Sequence, residues 1–182
     1  MQTQKIIIAA LLQATQSFAQ HAPTVKPQIA PGEVIKKGKL VYSEININAS
    51  AEKVWSVLTN FQDYPTWNPF IRSISGPLVK GGHLTAFLQP EGEKGMTFKP
   101  LVLQCMPQKE LRWIGKLGIS HIFDGEHTFN ITENGNGTVT FRQYEHFRGI
   151  LIPFFKKMLN KGTLQGFNKM NEKLKERAEK KN

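Results

Sequence analysis

The stretch that most constrains this chain runs from Leu111 to Gly149, reads as three strands in succession, and turns between the last two on Asn134-Gly135-Asn136-Gly137. Asn and Gly tolerate the positive φ that tight hairpin turns demand, so the segments on either side read as the arms of a β-hairpin. In the first arm His127, Phe129 and Ile131 share one parity; in the second Val139, Phe141, Gln143, Glu145 and Phe147 do. Successive strand side chains point to opposite faces, so each set lies on one face. The other parity carries Glu126, Thr128 and Asn130, then Thr138, Thr140, Arg142 and Tyr144, which suits a solvated side. The inward face is therefore apolar except for His127, Gln143 and Glu145. A turn centred on Gly135 or Asn136 sets His127 opposite Glu145 or diagonal to it, within reach in either register.

A carboxylate beside an imidazole holds it in one tautomer and raises its basicity. Such a pair can act as general acid and base, or it can be a buried polar anchor whose members satisfy each other. The structural or ligand-orienting role is favoured, because one pair without a nucleophile or metal is slender support for catalysis.

The rest of the chain supplies a partner for that face. Lys39 to Asn48 alternates as a first strand, with Val41, Ser43, Ile45 and Ile47 on one side. Ser50 caps a helix over Ala51 to Thr59, although Lys53 leaves the capping box incomplete. Phe61 to Phe70 is broken by Pro65 and Pro69 into a short second helix and a turn, with Asp63 and Tyr64 in capping or turning roles. Strands follow over Ile71 to Gly76, His83 to Leu88, Met96 to Met106 (where Pro100 implies a bulge or an edge) and Glu110 to Gly115. Gly118 separates the last of these from the hairpin. From Ile150 the pattern turns helical: Leu151, Phe154, Phe155, Met158 and Leu159, then Leu164, Phe167, Met170, Asn171 and Leu174, recur at helical spacing. Gly162 and Gly166 interrupt this helix without ending it. Its stripe needs a broad apolar surface, and the concave side of the sheet is the natural one. The expected architecture is α+β: a curved antiparallel sheet of about seven strands wrapped around a long C-terminal helix, with two short helices after the first strand and a cavity between sheet and helix.

The N-terminus stands apart. Residues 1–19 place Lys5 before an apolar run from Ile6 to Leu12, then Ser17-Phe18-Ala19 at a cleavage-like site, the layout of a secretory signal peptide. Residues 20–37 hold Pro23, Pro27, Pro31 and Gly32 and read as an extended linker. The globular domain then spans residues 38–182. On this reading the mature protein is periplasmic or secreted; without cleavage, it is cytoplasmic.

Several function classes are set aside. The formal net charge of +10 sits at the ends of the chain. Leu40 to Gly149 carries ten Lys/Arg and ten Asp/Glu, whereas Ile150 to Asn182 carries nine Lys/Arg and three Glu. A nucleic-acid reader would rather set basic residues among aromatics on its folded body. The basic outer face of the last helix could make weak contact with an anionic membrane surface. Cys105 is the single cysteine, which excludes an intramolecular disulfide and a thiolate-rich zinc site. His83, His121 and His146 lack the acidic spacing of a metal site, and there is no phosphate-cradling glycine pattern, Rossmann fingerprint or nucleophile elbow. No cofactor is expected.

Three groups of residues resemble the START-like helix-grip (SRPBCC) superfamily. They are Tyr64-Pro65-Thr66-Trp67-Asn68-Pro69-Phe70-Ile71, Leu111-Arg112-Trp113 with Phe123-Asp124-Gly125-Glu126-His127-Thr128-Phe129 and Glu145-His146-Phe147-Arg148-Gly149, and Gly166-Phe167-Asn168-Lys169-Met170-Asn171. The second group is similar to the polyketide cyclase/dehydrase-type bacterial branch. The likeness covers about Leu40 to Arg177. It implies a helix-grip fold with a hydrophobic pocket lined by Trp67, Phe70, Trp113, His127, Phe129, Phe141 and Glu145. The expected function is binding or transport of a small hydrophobic molecule or lipid. The alternative is a cyclase/dehydratase-like enzyme with His127 as base and Glu145 orienting it.

Overall fold

A computed structural model describes residues 40–116 and 122–180, apart from the side chains of 155–160. The expected leader and linker lie outside the described residues, as do Gly118, His121 and the side chains of Phe155, Met158 and Leu159. Strand β1 (Leu40–Ile47) leads into α1 (Ala51–Thr59), a 3-10 turn (Phe61–Asp63) and α2 (Tyr64–Trp67). Then come β2 (Ile71–Ser75), β3 (Thr85–Leu88), β4 (Met96–Phe98), β5 (Leu101–Met106), β6 (Glu110–Lys116), β7 (Asp124–Glu133) and β8 (Val139–Arg148). A helix α3 (Ile152–Lys157), a π-helical stretch (Met158–Thr163) and the long α4 (Leu164–Ala178) complete the described chain. Among the described residues no helix is long and apolar enough to cross a membrane.

All strand pairs are antiparallel, as short connections dictate. They form a five-stranded sheet in the order β1-β8-β7-β6-β5 and a three-stranded sheet in the order β2-β3-β4. The eight strands among the described residues correct the reading of Met96–Met106 as one strand. Its two halves join different sheets: β4 pairs with β3, and β5 with β6. The change of sheet falls at Lys99-Pro100, where proline removes a ladder donor. The Pro100 carbonyl instead accepts from Leu84 N–H at 2.9 Å, tying the seam between the sheets.

The helices form where local chemistry asks for them. Ser50 Oγ accepts from Lys53 N–H at 3.2 Å and caps α1. Helix α1 buries Ala51, Val54 and Leu58. Tyr64 opens α2; its hydroxyl donates to the Leu58 carbonyl at 2.7 Å, and complete burial holds that hydroxyl far above the ordinary tyrosine range. Asp63 pairs with Arg177 at 2.9 Å, joining this corner to the end of α4. The expected stripe of α4 is buried at Phe167, Met170, Asn171 and Leu174. Phe154 departs from expectation: it is 82% exposed, because the stripe's phase is broken between α3 and α4 by the π-helical turn.

A polar network fastens α4 to the large sheet. Gln143 Nε2 donates to Asn171 Oδ1 at 2.5 Å, Asn171 Nδ2 to Ser43 Oγ at 2.9 Å, and Ser43 Oγ to Asn168 Oδ1 at 2.5 Å. Gln143 and Asn171, the odd polar members of two apolar faces, thus meet each other. In low dielectric each would cost about 1–3 kcal/mol if left alone, so the pair fixes how the helix sits on β1 and β8.

Candidate functional site

Strands β7 and β8 set His127 directly opposite Glu145. His127 Nδ1 lies 2.5 Å from Glu145 Oε2. An ionised carboxylate accepts, and opposite one Nδ1 is the donor. The imidazole is 3% exposed and wrapped in aromatic rings. It stacks on Trp113 with centroids 5.3 Å apart, and its other neighbours are Phe129 at 4.2 Å and Phe167 of α4 at 4.9 Å. His127 Nε2 is buried and has no hydrogen-bond partner among the described residues.

The pair forms part of the wall of a cavity of about 200 Å³. Phe70, Leu88, Phe98, Trp113, Phe123 and Phe147 are among its apolar lining residues. The cavity opens between the β6–β8 part of the large sheet and the three-stranded sheet. Among the described residues, the C-terminal helical segment contributes Thr163 to the lining. Helix α4 packs onto β1 and is tied there by the Ser43–Asn171 hydrogen bond, while residues of β2, β3 and β4 face those of β6, β7 and β8 across the cavity.

Two glycines shape the floor. Gly115 and Gly125 pair directly across β6 and β7, and both line the cavity. A Cβ on Gly125 would stand 2.4 Å from Glu145 Oε1, so only glycine leaves that carboxylate its place. At Gly115 a Cβ would meet Phe98 at an ordinary 3.9 Å.

Four of the residues singled out from sequence line this cavity: Phe70, Trp113, His127 and Glu145. Trp67, Phe129 and Phe141 do not. Trp67 packs edge-on against Tyr64 with centroids 5.0 Å apart, while Phe129 and Phe141 stack on each other behind the imidazole. Alternation puts Phe129 and Phe141 on the inward face, but that face has a packed half and an open half. Sequence reasoning missed Gly115 and Gly125, whose signal was glycine in strand interiors, a mark of close approach. It also missed the β3–β4 residues Leu88, Met96 and Phe98.

Other candidates are quiet. No group of three or more metal-capable side chains occurs among the described residues. Burial pushes the Cys105 thiol up, away from thiolate chemistry. The cations of α4 are engaged: Lys169 pairs with Glu91, Lys173 with Glu176 and Lys175 with Glu179, which moderates the basic face expected there.

An antiparallel sheet gripping a long C-terminal helix, with an apolar cavity beside it, defines a helix-grip protein. The profile described as "Polyketide cyclase / dehydrase and lipid transport" matches residues 40–179, and the chain belongs to that family. No curated protein matches the sequence. Among solved structures, the fold is similar to a START superfamily protein from Mycobacterium smegmatis, with 23% identity, a TM-score of 0.60, and coverage of 76% of this chain and 97% of that one. It is also similar to the Zhui aromatase/cyclase from Streptomyces sp. R1128, at 13% identity and a TM-score of 0.64, covering 78% and 93% of the two chains. The di-domain ARO/CYC BexL from the BE-7585A biosynthetic pathway aligns at 11% identity with a TM-score of 0.62 over 79% of this chain. This chain spans 50% of BexL's length. At such identities the likeness is one of fold.

Proposed function

We infer that this domain binds or carries a small hydrophobic molecule or lipid in the cavity, with His127 and Glu145 orienting a polar group of the ligand. The observation that supports this best is the state of His127. Buried polar groups are as a rule satisfied, yet Nε2 lacks a partner among the described residues while Nδ1 is held by Glu145. An orphaned buried acceptor costs about 1–3 kcal/mol, which a ligand donor would recover. In the neutral ring Nε2 is an acceptor, so the matching ligand group is an O–H or N–H donor, such as a hydroxyl or enol. Affinity comes from burial of apolar surface, at about 25 cal/mol per Å², and orientation from the one polar contact. Native mass spectrometry of protein purified from its own host tests this. A retained apolar ligand, lost in His127→Ala, is the expected result; an empty protein that takes up no apolar probe would overturn it.

The same Nε2 favours a second reading as a cyclase/dehydratase-like enzyme. Held by Glu145, His127 would take a proton from an acidic carbon or hydroxyl of a bound poly-β-ketone and return it to the leaving oxygen. Loss of turnover in both His127→Ala and Glu145→Ala is expected on that reading, and unchanged turnover would sink it. For setting, we propose export to the periplasm or beyond, from the leader-like residues 1–19; N-terminal sequencing of the mature protein tests it.

A further inference from the structure

A second concavity, of about 310 Å³, lies beside the cavity, and Phe70 and Pro90 line both. Its character is different: Arg72, Gln89, Glu91, Gln165 and Lys169 surround it. Phe70 is the partition. Its ring is seated against α4 where Gly166 has no side chain; a Cβ there would stand 2.2 Å from Phe70 Cδ2. Arg72 is held in place by donating from Nη1 to the Asn68 carbonyl at 3.0 Å. No carboxylate pairs with it among the described residues. Lys169 is paired, but with Glu91 on the β3–β4 connection, and that carboxylate is 72% exposed. An ion pair so open to solvent contributes little, so a ligand anion can replace Glu91 at small cost. The cleft therefore presents one unpaired guanidinium and one weakly held ammonium, next to an apolar cavity.

We propose that the cleft is the head-group subsite for an anionic amphiphile: a carboxylate sits between Arg72 and Lys169, and the apolar chain passes Phe70 and Pro90 into the cavity. Arg offers a planar fork of donors that suits a carboxylate, and Lys adds a compact charge. This assignment rests on the hydrophobic-ligand reading above and narrows it to a ligand class.

The probes are decanoate and its neutral analogue methyl decanoate, titrated calorimetrically into the full chain. Decanoate is expected to bind at least about ten-fold tighter, a margin that one well-placed charged contact supplies. In the double variant Arg72→Gln/Lys169→Gln this preference should fall to within about two-fold. Glu91→Gln, which removes the competing carboxylate from an exposed site, should strengthen decanoate binding and leave the ester alone. Equal affinity of the two probes for the wild type, or a preference that survives the double variant, overturns the head-group assignment and leaves the cavity reading standing. Failure of both probes to bind overturns the head-group assignment, and 1-decanol, a neutral probe with a hydroxyl donor titrated alongside, tests the cavity reading by itself: if it too fails to bind, that reading falls.

Discussion

Glu145 reaches His127 across the β7–β8 pair because Gly125, on the strand opposite, leaves the space its carboxylate occupies. A methyl group at Gly125 would lie 2.4 Å from Glu145 Oε1, inside any tolerable contact. The paired glycine on β6, Gly115, has room to spare. Gly125→Ala is thus expected to swing the carboxylate away from Nδ1 and to lower affinity for an apolar hydroxylated probe by about ten-fold, the scale of one charge-assisted hydrogen bond. Gly115→Ala should change affinity less than about three-fold, since it only trims the floor. Titration of both variants with one probe checks the contrast; equal losses would remove Gly125 from its special role.

The His127–Glu145 contact also has a stability signature. Glu145→Gln keeps an acceptor for Nδ1–H, whereas Glu145→Ala strands a buried donor at a cost of about 1–3 kcal/mol. Urea unfolding should therefore rank wild type, then Glu145→Gln, then Glu145→Ala. Nitrogen NMR of the ring should show the proton on Nδ1 in the wild type and lose that tautomer's dominance in the alanine variant.

Gln143 and Asn171 should behave as a unit. Gln143→Leu or Asn171→Leu leaves its partner buried and unsatisfied, so each is expected to cost about 1–3 kcal/mol. The double variant should cost less than the sum by at least about 0.5 kcal/mol, because two apolar side chains can face each other there. A double-mutant cycle in denaturant measures the coupling; strict additivity would mean the two side chains do not work together.

One pH effect has a defined sign. The backbone N–H of Asn48 donates to Glu179 Oε1 at 2.7 Å and holds its carboxyl below the ordinary value of 4.5, with Lys175 assisting. A carboxylate depressed in the folded state contributes stability above its unfolded pKa and loses it as pH falls through the folded value. Glu179→Gln should accordingly be less stable than wild type at neutral pH, by under about 1 kcal/mol at a half-buried, solvent-screened site. The gap should close as pH drops below the ordinary carboxylate range. Urea midpoints at pH 7 and in acid test this; a gap that widens in acid would contradict the assignment.

Much of this architecture was already written in local patterns. Alternation in β7 and β8 settled which side chains face inward, and the turn residues settled the hairpin closely enough to bring His127 and Glu145 together. The 3.6-residue stripe of α4 marked the face that now lies on β1. These features depend on neighbours a few residues apart, so backbone geometry alone carries them. Tertiary structure decided the rest. Met96 to Met106 keeps the look of one strand, but pairing partners far along the chain divide it between two sheets at Pro100. Phe129 and Phe141 share their parity with His127, yet of the three only His127 lines the cavity, because alternation reports the face of a strand and not what stands over it. Gln143 and Asn171 looked like separate blemishes on apolar faces until the fold set them 2.5 Å apart. The second cleft, with Arg72 from one strand and Lys169 from the last helix, exists only where those elements converge around Phe70.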